Sequence, residues 1–134
     1  MGVDVVVGGA TSAELTAVRA LFAAHDARFS RFRADSELTA LNRDPLPEVP
    51  ASELLRRAVG AGLWAAERTA GLVDPTLLTA IVAAGYSESR VGAEPVSLAD
   101  ALAMAPERRP ARPRAEAEWR RFQVDDQEGT IRRP

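Results

Sequence analysis

The 134-residue sequence contains no cysteine and no lysine, and it has a single histidine. Without cysteine, disulfides, thiolate catalysis and cysteine-based zinc sites are excluded. Without lysine, a Schiff-base mechanism and a P-loop lysine are excluded. His25 falls late in a predicted helix, where a histidine interacts favourably with the helix dipole, so we interpret it as structural and not catalytic.

The charge balance and the hydropathy pattern exclude two further classes. The seventeen basic residues are all arginine, and nineteen acidic residues leave a net charge of −2. Binding to nucleic acid without sequence specificity needs a strong basic excess, so no nucleic-acid partner is expected. No apolar run approaches the roughly 20 residues of a membrane helix, and no signal peptide is visible, so no membrane segment is expected. As written, the chain is expected to be cytoplasmic; an exported location stays open if the N-terminus is truncated.

Periodicity and capping signals predict a single α+β domain over residues 1–134. It comprises an N-terminal strand at 3–7, several helices and a C-terminal β-hairpin in which residues 119–124 pair with 130–132. The predicted N-caps of the helices are Thr11 in a capping box with Glu14, then Ser36 or a neighbour, Ser52, Asp74 and Ser97.

Two stretches are predicted to be loops. Pro45, Pro47 and Pro50 punctuate the first, and an Arg- and Pro-rich flexible loop covers residues 104–118. The arginines of the second stretch are balanced by nearby glutamates, which favours a solvated loop over a phosphate site. The predicted strands are few for the number of helices. We therefore expect that more sheet belongs to this protein than the chain contains.

Two segments stand out chemically. Aromatic and cationic side chains alternate from Phe29 to Arg33, and such a pattern beside a helix N-terminus is able to bind a planar phosphorylated ligand. The alternative is a helix end with two core phenylalanines and two solvated arginines. In the second segment, Asp74 precedes a proline, and on local grounds it is an N-cap of the following helix.

Taken together, these segments resemble the ApbE family of FAD:protein FMN transferases. The resemblance is carried by three motifs in the family's order: Met-Gly at residues 1–2, Ser-Arg-Phe-Arg-Ala-Asp-Ser-Glu-Leu-Thr-Ala-Leu-Asn at 30–42 and Gly-Leu-Val-Asp-Pro-Thr at 71–76. Members of this family transfer FMN from FAD to a Thr or Ser of a target flavoprotein, with magnesium. The resemblance implies an enzyme that uses FAD as its substrate and a flavoprotein as its partner.

The resemblance also implies which residues contact FAD. Phe32 would supply a flat apolar surface, and Asp74 would accept hydrogen bonds from the ligand. Leu72 and Val73 would offer backbone groups and apolar contact, and Met1 completes the set.

The segments that carry the magnesium ligands and the catalytic base in the family are not found in residues 1–134. The sequence therefore predicts no catalytic residue and no metal ligand here, and the ligands of Mg²⁺ are expected outside this chain. The chain is expected to be inactive alone and to need the C-terminal portion of the family's fold as a partner. The alternative is a non-catalytic, truncated FAD-binding or interaction module.

Overall fold

The computed structural model describes residues 5–89, 92, 94–105, 107 and 110–134. Within these residues, helices and a small antiparallel sheet confirm the predicted α+β class. The helices are α1 (Ser12–Phe29), α2 (Glu37–Arg43), α3 (Glu53–Arg68), α4 (Leu78–Ala83), α5 (Leu98–Met104) and a 3-10 helix (Glu118–Arg121). The strands are β1 (Glu48–Pro50), β2 (Gln123–Asp125) and β3 (Thr130–Arg132).

Local capping chemistry determines where most helices begin. Each cap side chain accepts a hydrogen bond from a backbone N–H in the first helical turn, which satisfies a donor that has no partner within the helix. At α1 the cap is reciprocal, because the Glu14 carboxylate also accepts from the backbone N–H of Thr11 at 2.7 Å. The confirmed N-caps are Thr11, Ser36, Ser52 and Ser97.

The sheet has the order β1-β3-β2, with both pairs antiparallel. Ile131 of the central strand lies opposite Val49 on one side and Val124 on the other, and it is fully buried. Together with Leu41 of α2 and Leu55 of α3, Val49 and Ile131 form the core. The predicted hairpin is confirmed, and its turn is held to α3 by a 3.0 Å ion pair between Arg56 and Asp126.

Three details of the predicted elements are wrong. Residues 5–7 are not in a strand, and Val3 lies outside the described residues. Strand β1 lies in the stretch that was predicted to be a proline-punctuated loop. It pairs with one edge of the central strand β3, and β2 pairs with the other edge. Pro50 ends the edge strand β1, where a missing N–H is tolerated. Residues 118–121 form a 3-10 helix where the hairpin was expected to begin, because Ala117 takes a left-handed conformation and redirects the chain.

None of the residues of α1 is buried. Its apolar side chains include Leu21 and Phe22, which are 57% and 43% exposed. Phe29 at its C-terminal end packs against the core. The helix is therefore joined to the rest of the domain mainly at that end.

A left-handed turn ends α3 and leads into the second motif. The N–H of Ala70 bonds to the Glu67 carbonyl, and the N–H of Gly71 bonds to the Ala66 carbonyl at 2.8 Å, which is the Schellman arrangement. Both residues have positive φ, 51° at Ala70 and 86° at Gly71. A Cβ at Gly71 would lie 3.3 Å from both the Pro113 side chain and the indole nitrogen of Trp119.

Gly71→Ala is expected to lower the free energy of unfolding by at least about 1–2 kcal/mol, because alanine is disfavoured at this φ and its Cβ lacks room. Gly60→Ala is the control, since a Cβ there meets nothing within 4 Å in the interior of α3. It should raise the same quantity by about 0.5–1 kcal/mol. Urea denaturation of both variants measures the difference, and equal effects would contradict the close packing at Gly71.

The carboxylate of Glu48 makes the stability of the sheet sensitive to acid. Glu48 accepts from the Arg132 guanidinium at 3.0 Å and from the Thr130 hydroxyl at 2.9 Å, across the β1–β3 pair. The hydrogen bond from Arg132 is the main reason that the pKa of Glu48 is lowered from its ordinary value of 4.5. The unfolded chain therefore binds more protons in acid. The stabilisation is complete above the ordinary pKa and is lost as the pH falls through the folded-state pKa.

Glu48→Gln should weaken this dependence. Between about pH 6 and about pH 3, the free energy of unfolding of the wild type should fall more steeply than that of the variant. Glu128→Gln, at the hairpin turn, is the control and should follow the wild type. Denaturant titrations at each pH measure these profiles. Parallel profiles for all three proteins would show that the contacts of Glu48 with Arg132 and Thr130 do not contribute to the pH dependence.

Candidate functional site

The Phe32 ring lies in a cluster with Arg31 and Tyr86. The Arg31 guanidinium carbon is 4.2 Å from the centroid of the Phe32 ring and 4.5 Å from that of Tyr86. The two rings meet edge to face, with centroids 5.4 Å apart and an interplanar angle of 80°. Arg31 also donates from Nη2 to the backbone carbonyl of Tyr86. Phe32 and Tyr86 keep 38% and 42% of their surface exposed, so the cluster is open to solvent.

This cluster exists because the linker between α1 and α2 is short and tightly turned. Ser30 ends α1 by donating its N–H to the Asp26 carbonyl at 3.0 Å, and Ser36 begins α2 as its N-cap. Within the linker, Arg33 pairs with Asp35 at 2.9 Å, and this bond lowers the pKa of Asp35. The chain therefore presents Phe32 at the surface between two helix ends.

Asp74 lies in a second turn, where one of its oxygens has partners and the other has none. Oδ1 accepts from the Thr76 backbone N–H at 2.8 Å and from the Thr76 hydroxyl at 2.5 Å. The interpretation of Asp74 as an N-cap is wrong, because α4 begins later and its N-cap residue is Leu77. Oδ2 is buried and has no hydrogen-bond partner among the described residues. Such an acceptor is costly unless a donor reaches it.

The scaffold around this turn is dense. A Cβ at Gly62 of α3 would lie 3.2 Å from the Pro75 side chain, so the absence of a side chain there lets the turn approach the helix. From the other side, Arg114 reaches the Thr76 carbonyl at 3.4 Å and pairs with Glu118 at 3.7 Å. This contact was missed from sequence, which placed the arginines of the 104–118 loop in solvent. Arg108 and Arg109 lie outside the described residues.

Leu72 and Val73 are exposed beside this turn, at 60% and 47%. Their backbone N–H groups are already used, since Leu72 donates to the Thr69 carbonyl at 3.2 Å and Val73 to the Thr69 hydroxyl at 3.0 Å. They therefore offer a ligand their apolar side chains and not their backbone donors.

The structure places the predicted site residues in two groups. Leu72, Val73 and Asp74 share the turn after α3, and Phe32 is tied to Tyr86 at the far end of α4. No hydrogen bond, ion pair or ring contact joins Phe32 to Asp74 in the part of the chain described. Met1 lies outside the described residues.

Two residues of the aromatic cluster were not predicted as site residues. Arg31 was noted as part of the alternating pattern, and Tyr86 was assigned no role in the site. Their contact joins positions 55 residues apart, and nothing in the spacing of the two residues signals it.

Residues 5–89, 92, 94–105, 107 and 110–134 contain no group of three or more His, Cys, Asp or Glu that could hold a metal ion. No helix among them is long and apolar enough to cross a membrane. A cavity of about 680 Å³ lies between α3 and the hairpin, lined by Trp64, Trp119 and Phe122 among others, and it includes none of the predicted site residues.

Comparison with known proteins identifies a family. The model of the ApbE family matches residues 1–133, which is nearly the whole chain. The comparisons with curated proteins and with solved structures gave no match.

The edge-to-face contact predicts energetic coupling between Phe32 and Tyr86. In a double-mutant cycle with Phe32→Leu and Tyr86→Leu, the coupling energy should be about 0.5–1.5 kcal/mol. The control pairs Phe32→Leu with Trp64→Leu, because Trp64 shares no described contact with Phe32. That pair should be additive within about 0.5 kcal/mol. Chemical denaturation of the single and double variants gives both values, and additivity in the first cycle would rule out the contact.

Proposed function

This chain belongs to the ApbE family, a family of FAD:protein FMN transferases, and we propose that residues 1–134 are the N-terminal portion of a domain that binds FAD for FMN transfer to a target flavoprotein. The flavin transferase class follows from the family match. The FAD contacts, the magnesium and the flavoprotein acceptor are the parts that we propose.

The observation that carries the proposed FAD contact is the unpartnered oxygen of Asp74. A buried carboxylate oxygen without a donor is a costly feature in an unliganded protein, and it becomes favourable when a ligand supplies an O–H or N–H. Ribose hydroxyls and an adenine amine are donors of this kind. Because Thr76 holds Oδ1, the carboxylate is oriented before the ligand arrives.

The aromatic cluster supports the same proposal. Its exposed Phe32 and Tyr86 rings offer surface to a planar ring system, and the cluster lies at the opposite end of α4 from the Asp74 turn. Helix α4 has six residues, which corresponds to about 9 Å. A ligand with a planar ring at one end and hydrogen-bond donors at the other suits two groups held apart in this way. FAD is such a molecule.

The proposed reaction is a phosphoryl-type transfer. The oxygen of a Thr or Ser hydroxyl on the acceptor attacks the flavin-side phosphorus of FAD. A new P–O bond forms, the pyrophosphate bond breaks, AMP leaves, and the hydroxyl proton passes to a base. Magnesium would neutralise charge on the phosphates. The residues that the structure describes contain no group of three or more His, Cys, Asp or Glu that could hold a metal ion. We therefore propose that the Mg²⁺ ligands and the base lie outside residues 1–134.

The FAD contact is tested with Asp74→Asn. The amide keeps an oxygen for Thr76 but is able to place an N–H₂ where Oδ2 stood, so FAD affinity should fall about tenfold or more, the loss expected for a hydrogen bond to a charged group. Asp44→Asn is a matched control, because Asp44 makes the same kind of turn by accepting from the Leu46 N–H at 2.8 Å. Fluorescence titration with FAD measures both. Equal affinities for the two variants would remove Asp74 from the site.

Transfer is tested by adding the remaining portion of the family's fold as a separate polypeptide, with FAD, magnesium and a flavoprotein acceptor. Mass spectrometry should show an acceptor that carries covalent FMN, and omitting either polypeptide should abolish it. FAD binding without transfer in a folded mixture would favour the second candidate, a non-catalytic binding module. His25, whose Nδ1 lies 2.8 Å from the Leu21 carbonyl within α1, makes a structural contact that fits both candidates.

A further inference from the structure

Arg31 occupies aromatic surface that a flavin would otherwise use. Its guanidinium lies 4.2 Å from the Phe32 centroid and 4.5 Å from the Tyr86 centroid, so one cation contacts two rings. A planar ligand that stacks on the same face of Phe32 has to displace it. Displacement breaks both cation–π contacts and the hydrogen bond to the Tyr86 carbonyl.

The charge of Arg31 is not neutralised within the part of the chain described. The ion pairs there include none that uses Arg31, although it is half-buried. Its neighbour Arg33 differs, because it is exposed and pairs with Asp35 at 2.9 Å. Arg31 is therefore held by ring faces and a carbonyl, partners that a phosphate exceeds in strength as an acceptor for a guanidinium.

From this arrangement we propose that Arg31 determines specificity for phosphorylated flavins. A flavin that carries phosphate displaces Arg31 from the Phe32 ring and offers it a bidentate anionic partner in return. Riboflavin has the same ring system but no phosphate, so it displaces the guanidinium without compensation. Arg31 thus selects FAD and FMN against riboflavin. This inference rests on the proposed flavin site and adds a residue and a discrimination that the site did not yet have.

The test compares the dissociation constants of FAD, FMN and riboflavin for the wild-type chain and for Arg31→Ala. In the variant, riboflavin should bind more tightly because the ring face is free, and FAD and FMN should bind more weakly because the phosphate partner is lost. The ratio of the riboflavin constant to the FAD constant should therefore fall about tenfold or more.

Two further variants separate specificity from general effects. Arg31→Lys keeps the charge but not the planar stacking group, so it should retain part of the preference for FAD over riboflavin. Arg33→Ala removes a neighbouring arginine that contacts neither ring, and its ratio should equal that of the wild type. Thermal melts confirm that each variant is folded, and Arg31→Lys carries the test if Arg31→Ala is not.

The outcomes are distinct. A ratio that is unchanged in Arg31→Ala and Arg31→Lys, even if all affinities shift together, would overturn the specificity role and leave Arg31 as a structural contact. A ratio that falls equally in Arg33→Ala would also overturn it, since general positive charge would then explain the preference. If the wild type binds none of the three flavins, the proposed function fails first, and the inference fails with it.

Discussion

The Glu37 carboxylate joins three helices, and the placement of both motif segments depends on it. One oxygen accepts from the backbone N–H of Ser52 at 2.6 Å, and the other accepts from the Ser52 hydroxyl at 2.7 Å and lies 3.5 Å from Arg28 at the end of α1. Losing one partner of such a bond costs about 1–3 kcal/mol. Because Ser52 begins α3, Glu37 fixes that helix against α2. Helix α3 then runs for 16 residues, about 24 Å along its axis, and ends at the turn that leads to Asp74.

In the candidate site, well-packed turns hold the side chains whose hydrogen-bonding atoms or ring faces are proposed to contact a ligand. Gly62, Gly71 and Arg114 pack the Asp74 turn from two sides, yet one oxygen of Asp74 lacks a donor. The Phe32 linker is likewise fixed at both ends by helix caps, yet a cation covers its ring. In the proposed function, a ligand would donate a hydrogen bond to the free oxygen of Asp74 and offer a phosphate to Arg31. Both proposed contacts therefore start from well-packed turns that hold the side chain in place before the ligand binds.

Features that depend on neighbours in sequence were predictable, and those that depend on distant residues were not. The N-caps and the hairpin follow from hydrogen bonds that close within a few residues, so Thr11, Ser52 and Ser97 were identified correctly. Strand β1 was missed, because its three residues include a proline and are a strand only through pairing with β3. Asp74 was assigned incorrectly although its contacts are local. Its Oδ1 bonds to Thr76 two residues further on, and α4 begins only at Leu78 with Leu77 as its N-cap residue.

The two tryptophans of the chain stand in different environments, which makes one of them an optical reporter of the site. Trp64 is 63% exposed, whereas Trp119 is 9% exposed and its indole nitrogen lies beside Gly71, three residues before Asp74. Emission from a buried indole responds to the polarity and motion of its surroundings. Replacing Trp64 with phenylalanine would leave Trp119, beside the turn, as the one tryptophan of the chain. The emission maximum and the fluorescence lifetime of Trp119 would then report changes in the turn, without an attached dye.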